Sequence, residues 1–430
     1  MIRNVLTPVT SDSLMKSRSR SANTSPRTKR AYRLQKTTAR MSGIKDRVAI
    51  IGMGCSKFGE RWDVDSADLM VEAAYEAFGD AGIESKDVQA AWLGTVSSFR
   101  TGQPLAAALK LDYIPISRLE NACATATDAF RNACYAVAAG IYDIVLVMGV
   151  EKLKDSGFSG LAIAEAPGSD VAPPAPPPAQ FAMAATRYFH HYDIPYDEGR
   201  QTLAEIAVKN HHNGTMSPKA HFQREVSVEQ VINAPMIAWP LGLYDCCGVS
   251  DGAAAAIITT PEIARSFRDD YVLVKGIGLA VGAFGVLRSD WDFVHFPESV
   301  RASQACYQEA GITDPRKELD MAMVHDCFTI TELIIYEDLG FSPRGKASED
   351  VAAGTFSLEG ELPVNTDGGL KCFGHPIGAS GIRMIYEVYK QIQGKAGARQ
   401  LAKADLGITH NLGGRPGSFT CSVAAFGARD

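Results

Sequence analysis

The sequence predicts an α/β protein made of two similar halves, with a loop domain inserted into the first half. Three observations lead to this prediction. Short, continuously apolar runs alternate with segments of helical periodicity. The order of these segments recurs in the second part of the chain. A proline-rich and then polar stretch interrupts the first part. Continuous apolar strands that alternate with helices favour a mostly parallel sheet covered on both faces.

The first half begins with "RVAIIGMG" (47–54), an apolar run ending in glycine that predicts a buried strand. Segment 66–82 has helical periodicity, and Gly82 marks its end. The remaining elements of this half follow in order: a strand at 88–96, a small-residue helix from Cys123 to about Ala139, and a buried strand at 143–151.

An insertion then separates these strands from the end of the first half. Segment 165–180 contains most of the prolines of this insertion and is expected to be a loop. Residues 181–245 are polar and helical in pattern, and the sheet is expected to return at "SDGAAAAIITT" (250–260).

The second half repeats the first in order and approximate spacing, although few residues are identical. We therefore infer a duplication. The matching segments are a strand at 271–278, a helix at 298–312, a strand at 319–328, a helix at 374–390 and a strand at 405–414. The predicted domains are a basic extension at 1–40, a first half at 45–165 and 246–265, a loop domain at 166–245, and a second half at 270–430.

Charge is distributed unevenly along the 430 residues. Residues 1–40 carry ten Lys or Arg and one acidic residue, Asp12, while the rest of the chain carries 33 basic and 48 acidic residues. The basic, Ser- and Thr-rich extension predicts a mitochondrial transit peptide. A disordered tail, or a start upstream of a natural Met41 in a cytoplasmic protein, remains the alternative. The acidic body does not favour nucleic-acid binding.

Cys123 is the first candidate for chemistry. It lies in "ENACATATDAF" (120–130), just before a predicted helix whose first residues are small. A helix N-terminus stabilises negative charge, so a cysteine there is expected to favour its thiolate and act as a nucleophile. The alternative is a small core residue. The nine cysteines show no CxxC spacing, so we expect reduced thiols and neither a disulfide framework nor a zinc ribbon.

Two segments of the second half favour the nucleophile. "HDCF" (325–328) directly follows a predicted strand and supplies His325 and Cys327. "GHPIGASG" (374–381) places His375 at the counterpart of the Cys123 position. A cysteine and a histidine at matched positions of two facing halves form a nucleophile and base pair if they meet. We expect Asp326 to be a buried anchor, and the adjacent Cys246 and Cys247 to be structural.

These motifs resemble those of the thiolase superfamily over residues 45 to 427. The "HDCF" motif is similar to that of the sterol-carrier-protein-2 type thiolases, and "NACATATDA", "YDCCGVSDGAAA" and "GHPIGASG" are similar to thiolase segments in the same order. The resemblance implies the duplicated, five-layered αβαβα thiolase fold with an inserted loop domain. No sterol-carrier domain is expected after "CSVAAFG".

The resemblance also implies roles. Cys123 would carry the acyl group, and His375 would activate it and help to hold the thioester oxygen. His325 would donate to an oxyanion hole, and Cys327 would move the α-proton. The backbone N–H groups of Cys123 and Gly413 would form a second oxyanion hole. Most thiolases place their second catalytic cysteine where this chain has Asn411, so the acid/base role is expected to pass to Cys327.

The expected activity is that of an acyl-CoA thiolase, which acts on acyl-CoA, acetyl-CoA and CoA as substrates. The expectations are no tightly bound cofactor, no metal and no membrane span. A homodimer or homotetramer is implied, and Lys219 is a candidate for holding the CoA phosphates. The alternatives are a thiolase-like retro-aldol lyase or acyltransferase that acts with a partner protein, and a non-catalytic acyl-CoA or lipid binding protein.

Overall fold

Nine strands of the described residues form one mixed sheet, and two more form a hairpin. The computed structural model describes residues 43–155, 176–282, 291–415 and 418–429. The strands are β1 (Ala49–Cys55), β2 (Ala90–Gly94), β3 (Ile116–Leu119), β4 (Val145–Glu151), β5 (Met236–Ala238), β6 (Leu241–Gly242), β7 (Gly252–Thr259), β8 (Val272–Val281), β9 (Met321–Met323), β10 (Leu406–Arg415) and β11 (Ser418–Gly427).

The helices connect these strands and cover the sheet. They are α1 (Ser66–Ala81), α2 (Gln103–Leu109), α3 (Thr125–Ala138), α4 (Pro177–His191), α5 (Tyr196–Thr215), α6 (Val228–Ile232), α7 (Pro261–Ala264), α8 (Pro297–Ala310), α9 (Pro315–Glu318), α10 (Thr329–Asp338), α11 (Ala347–Ala352), α12 (Gly369–Phe373) and α13 (Ser380–Ile392). Short 3₁₀ turns lie at Ser85–Asp87, Leu243–Asp245 and Gly397–Arg399.

The sheet topology confirms the predicted duplication. The strand order is β3-β2-β4-β7-β1 in the first half and β8-β11-β10-β9 in the second, with β1 and β8 joined. In the first half β2 is parallel to β4, which is antiparallel to β7, which is antiparallel to β1. The second half repeats this with β9, β10, β11 and β8. The same unit therefore occurs twice.

The expectation of a mostly parallel sheet is wrong. Three pairings in the large sheet are parallel and five are antiparallel. The strands are continuously apolar because helices cover both faces, and this burial does not depend on strand direction. All of β1 is buried, with Ala49 and Ile51 in one core cluster and Ile50 and Met53 in another.

Helices α3 and α13 form the central layer. They contact each other and strands of both halves, whereas α1 packs on β1 and β7, and α8 packs on β8 and β11. The sheet strands of each half form a separate layer against these two helices, although β1 and β8 join them into one sheet. The resulting order of layers is helix, sheet, helix, sheet, helix, as expected. The loops that carry Cys123 and His375 precede α3 and α13, so this arrangement brings the two loops to the middle of the molecule.

Several element boundaries differ from the sequence prediction. The predicted helix at 374–390 begins only at Ser380, because Gly374 has a φ of 115° and Pro376 has no N–H. The strand at 319–328 is only Met321–Met323, so "HDCF" lies in the loop after it. Helix α4 begins at Pro177, inside the stretch predicted as a loop, because proline is tolerated in a first helical turn.

Other predictions concern the chain as a whole. All nine cysteines lie in the described ranges and are free thiols, which confirms the absence of a disulfide framework. No helix of the described residues is long and apolar enough to span a membrane. The basic extension and most of the proline-rich segment lie outside the described residues, so the transit peptide stays a prediction.

Strand β4 touches the loop of His375 backbone to backbone. A Cβ atom added at Gly149 would lie 2.4 Å from the carbonyl oxygen of Gly378 and 2.9 Å from the Cα of Ala379. Both obstacles are backbone atoms, which cannot rotate away as a side chain can. Glycine at position 149 therefore permits the close approach of the first half to the second.

We expect Gly149→Ala to displace the His375 loop, lower the free energy of unfolding by about 1–3 kcal/mol and reduce activity. The matched control is Gly79→Ala in α1, where an added Cβ meets nothing within 4 Å. Thermal unfolding should show that the control is at least as stable as the wild type, since alanine is a better helix former than glycine at an exposed helical position. Equal melting temperatures for both variants would contradict the close contact.

Candidate active site

The Cys123 segment is a tight turn between β3 and α3. The hydroxyl of Thr125 accepts from the N–H of Asn121 at 2.8 Å and donates to the carbonyl of Ala122 at 2.5 Å. Ala122 has a positive φ of 49°, which is uncommon for a residue other than glycine. Backbone strain of this kind persists only where surrounding contacts hold it. The turn thus fixes the position of Cys123, which keeps part of its surface exposed.

The His375 loop fixes the tautomer of the imidazole. The Nδ1 of His375 lies 2.8 Å from the hydroxyl oxygen of Ser380, and that hydroxyl donates to the carbonyl of Pro376 at 3.0 Å. A hydroxyl has one proton to donate, so Nδ1–H of His375 is the donor to Ser380. The Nε2 atom therefore carries a lone pair, and it is buried with no hydrogen-bond partner among the described residues.

The two halves bring three of the predicted residues together. The sulfur of Cys123, one ring nitrogen of His325 and one of His375 lie within 4.8 Å of one another. The two imidazole rings are 5.2 Å apart and nearly perpendicular. The Nδ1 of His325 is also buried and accepts or donates no hydrogen bond within the ranges that the structure describes. Cys123 and His375 therefore meet across the halves, as their matched positions in the sequence predict.

Cys327 lies beside this trio. Its buried sulfur contacts the hydroxyl oxygen of Thr331 at 3.7 Å, and its carbonyl accepts from the N–H of Cys247 at 2.9 Å. Burial raises the pKa of Cys327 well above its usual value, and the charges of Cys247 and Cys123 raise it further. Cys247, to which the sequence assigned a structural role, is thus a neighbour of the site.

Glycine is required at position 413 of β10. A Cβ atom there would lie 2.3 Å from the backbone nitrogen of Cys123 and 2.8 Å from the Cβ of Ala122. The backbone of β10 therefore passes directly against the Cys123 amide. Asn411, two residues earlier, is buried and accepts from the Thr127 hydroxyl at 2.7 Å. Its amide group contacts the sulfur of Met384 at 3.1 Å, so Asn411 joins the two central helices.

Burial makes the site neutral at rest. Burial raises the pKa of Cys123 to about 12. Burial, then the charge of Arg383, lowers the pKa of His375 to about 3. Burial and then His375 lower the pKa of His325 well below its usual value. The expectation that the helix start favours the Cys123 thiolate is therefore wrong, because the loss of water around the sulfur raises the pKa by more than the hydrogen bond from its own backbone N–H lowers it.

A carboxylate that sequence reasoning missed connects the surrounding loops. Glu151 is fully buried at the end of β4 and accepts from the N–H of Gly378 in the His375 loop at 3.2 Å. Its other donors all belong to the loop after β2: the hydroxyl of Thr95, the N–H of Val96, and the N–H and hydroxyl groups of Ser97 and Ser98. The only signal in the sequence is an acidic residue at the end of an apolar strand.

Asp326 is the buried anchor that the sequence predicts. Its carboxylate accepts from the N–H groups of Leu370 at 2.5 Å and Lys371 at 3.0 Å. It also accepts from the side-chain amide of Asn210 on α5 at 3.0 Å. The residue between His325 and Cys327 thus holds the segment that leads to His375, and it links that segment to the insertion.

Lys219 makes its contacts inside the protein. Its ammonium group donates to the carbonyl of Cys55, forms an ion pair with Glu76 and lies 5.3 Å from the ring centre of Tyr386. These contacts supply a structural role for Lys219. Its role in holding CoA stays a prediction.

Comparison with protein families gives two matches. Residues 48–262 match the model of the thiolase N-terminal domain, and residues 286–424 match that of the thiolase C-terminal domain-like family. The chain belongs to the thiolase family. An acetyl-CoA acetyltransferase of Methanothermobacter thermautotrophicus is 38% identical over 384 residues, which cover 87% of this chain and 98% of the relative.

Two further proteins are similar to this chain over most of its length. Sterol carrier protein 2 of Gallus gallus is 31% identical over 397 residues, covering 86% of this chain and 70% of the relative. The solved structure of an Ltp2-ChsH2(DUF35) aldolase has a TM-score of 0.77 at 26% identity and covers 90% of this chain and 98% of its own. The protein is an acyltransferase enzyme of the sterol-carrier-protein-2 type of thiolase.

We expect alkylation of Cys123 by iodoacetamide to rise about tenfold per pH unit from pH 7 to 9.5, with no plateau. Only the thiolate reacts, and the raised pKa keeps the thiolate fraction small throughout this range. Peptide mass spectrometry measures the labelled fraction. A plateau below pH 8 would show a preformed thiolate–imidazolium pair and contradict the neutral site.

We expect Glu151→Gln to slow acylation of Cys123 and to lower the free energy of unfolding by about 1–3 kcal/mol. A glutamine amide offers one acceptor oxygen, so several buried donors lose their partner. Denaturant unfolding and intact mass after incubation with acyl-CoA measure the two effects. Glu262→Gln, at an exposed position of α7, is the control and should change neither. Acylation of Glu151→Gln at the wild-type rate would contradict the anchoring role.

Proposed function

We propose that the protein is an acyl-CoA thiolase that converts 3-ketoacyl-CoA and CoA into acyl-CoA and acetyl-CoA, and can catalyse the reverse. The observation that carries this proposal is the trio of Cys123, His325 and His375, a thiol and two neutral imidazoles within 4.8 Å. A soft nucleophile beside a base suits the formation of a thioester intermediate. The thiolase family and its acetyltransferase relatives support the reaction class.

In the first half-reaction, Cys123 attacks the C3 carbonyl of the 3-ketoacyl-CoA. Its proton passes to Nε2 of His375, the nitrogen whose lone pair is free. The C2–C3 bond breaks, the acyl group stays on the sulfur, and the acetyl-CoA enolate leaves. Cys327 protonates this enolate and becomes a thiolate. The resting thiol of Cys123 thus loses its proton only as the new bond forms.

In the second half-reaction, CoA attacks the thioester. The CoA thiol gives its proton to the Cys327 thiolate, and the Cys123 sulfur recovers its proton from His375 as the acyl group leaves. Since an ionised Cys123 raises the pKa of Cys327, the two thiols resist being ionised together. Acylation makes Cys123 neutral at the stage when Cys327 must carry the charge.

Two sets of donors would hold the oxygen that becomes negative. The N–H groups of Cys123 and Gly413 form one, supported by the close approach of Gly413 to the Cys123 amide. His325 supplies the other, because a neutral imidazole carries one N–H. Each such donor contributes about 3–4 kcal/mol to transition-state stabilisation.

The proposal includes a homodimer or a tetramer built from dimers. Strand β3 is an edge strand of the sheet, and three of its four residues are only partly buried. An edge strand offers unpaired backbone groups to another copy. A mitochondrial location also remains part of the proposal, on the basis of the extension at 1–40.

A second candidate is a retro-aldol lyase that acts with a partner protein. The similarity to the Ltp2-ChsH2(DUF35) aldolase supports it. A retro-aldol cleavage forms no thioester with the enzyme, whereas the trio places a cysteine beside a free imidazole nitrogen. The trio therefore favours the thiolase.

The test is thiolysis of acetoacetyl-CoA and longer 3-ketoacyl-CoAs by the purified full chain, with intact mass after incubation with acyl-CoA. We expect turnover and one acyl adduct in the wild type, and neither in Cys123→Ala. Cys327→Ala should retain the adduct while turnover falls by about 10²-fold or more, since an acid/base group typically contributes 10²–10⁴-fold.

The outcomes separate the candidates. No turnover and no adduct with any of these substrates would overturn the thiolase proposal. An adduct that persists in Cys123→Ala would overturn the assignment of the nucleophile. Turnover of Cys327→Ala at the wild-type rate would overturn only the acid/base assignment.

A further inference from the structure

We propose that Cys123, His325 and His375 also form a binding site for zinc, and that a bound zinc ion blocks acylation of the enzyme. Cysteine sulfur and histidine nitrogen are the ligands that zinc prefers in proteins. Three protein ligands and one open position are the usual set where zinc keeps a water or an exogenous ligand. The binding itself does not rest on the proposed function, whereas its inhibitory effect does.

The geometry of the trio suits a small tetrahedral ion. Its three candidate ligand atoms already lie within 4.8 Å of one another. Ligand atoms around zinc are about 3.3–3.7 Å apart, as follows from Zn–S and Zn–N distances near 2.3 and 2.1 Å. The side chains must therefore close by about 1 Å, which small rotations of Cys123 and the rings can supply.

The two histidines have nitrogen atoms available for a metal. Each ring has one buried nitrogen, Nε2 of His375 and Nδ1 of His325, that lacks a hydrogen-bond partner in the part of the chain that the structure describes. A buried polar atom without a partner is uncommon in a native protein and needs an explanation.

A hydrogen bond to its other ring nitrogen also holds His375 in place. Metal-binding histidines usually donate their other N–H to an oxygen that fixes the ring. Here Nδ1–H of His375 donates to the hydroxyl oxygen of Ser380, which is itself held by the carbonyl of Pro376. The ring therefore already presents Nε2 in a fixed direction.

Zinc binds the thiolate form of cysteine, so metal binding at Cys123 releases a proton. On binding, the Cys123 S–H bond breaks and the sulfur keeps the electron pair for the Zn–S bond. The proton goes to the solvent, and nothing is oxidised or reduced.

Zinc at this position prevents catalysis by occupying the reacting atoms. The sulfur pair that would attack the substrate forms the metal bond, and Nε2 of His375 can no longer accept a proton. The ion therefore competes with acyl-CoA for Cys123.

The test uses cobalt as a spectroscopic probe for zinc in the metal-free full chain. We expect Co²⁺ to bind with a 1:1 stoichiometry and to give a sulfur-to-cobalt absorption band, which Zn²⁺ should displace. Cys123→Ala should lose the band, and His325→Ala should weaken binding by about tenfold or more. Ser380→Ala, which keeps all three ligands, should weaken binding by about tenfold through the loss of its support to His375.

The matched control is Cys247→Ser, which alters the neighbouring thiol and should keep the band. Wild-type protein alkylated at Cys123 repeats the Cys123→Ala comparison without a mutation. A band that survives loss of the Cys123 thiol, or that disappears in Cys247→Ser, would overturn the assigned site. Absence of saturable cobalt binding to the wild type would also overturn it.

The inhibition of acylation by zinc is measured by the rate of acyl adduct formation from acyl-CoA. Free CoA is left out, since free thiols bind zinc. We expect Zn²⁺ to slow adduct formation and a chelator to restore it. Normal thiolysis in chelator, together with no cobalt binding, would overturn only this inference. Cobalt binding at Cys123 in a protein that forms no adduct would overturn only the proposed function.

Discussion

The loops of the active site depend on one buried carboxylate. Glu151 ends a strand of the first half, yet it accepts from the N–H of Gly378 in the second half. It also accepts six hydrogen bonds from residues 95 to 98. A buried carboxylate is costly unless its oxygens are satisfied, and here every donor belongs to a loop that frames the site. The charge is therefore stable only when these loops are in place.

A second constraint is that two positions where the halves touch must be glycine. Gly149 lies against the carbonyl of Gly378, and Gly413 lies against the amide of Cys123. A methyl group at either glycine would meet backbone atoms at less than 2.5 Å. The nucleophile and the base come from different halves, so the distance between them depends on this close packing.

Burial also determines the chemistry of the site. Without solvent, the thiols of Cys123 and Cys327 hold their protons and the two histidines stay neutral. Attack by Cys123 then has to move its proton as the new sulfur–carbon bond forms, rather than begin from a stored ion pair. The same neutral nitrogens and the sulfur of Cys123 are also ligands that suit a metal ion.

The sequence by itself determined the order of strands and helices, the duplication, and the residues Cys123, His325, Cys327 and His375. These follow from local periodicity and short motifs, which depend on neighbours along the chain. Only the tertiary structure decided the direction of strand pairing, the protonation of Cys123, the role of Glu151, and the close contact that requires glycine at position 413. An apolar strand shows that both of its faces are covered but not which strand lies beside it. A pKa or a close contact depends on atoms that are distant in the sequence, such as Gly378 beside Glu151 and Arg383 near the histidines.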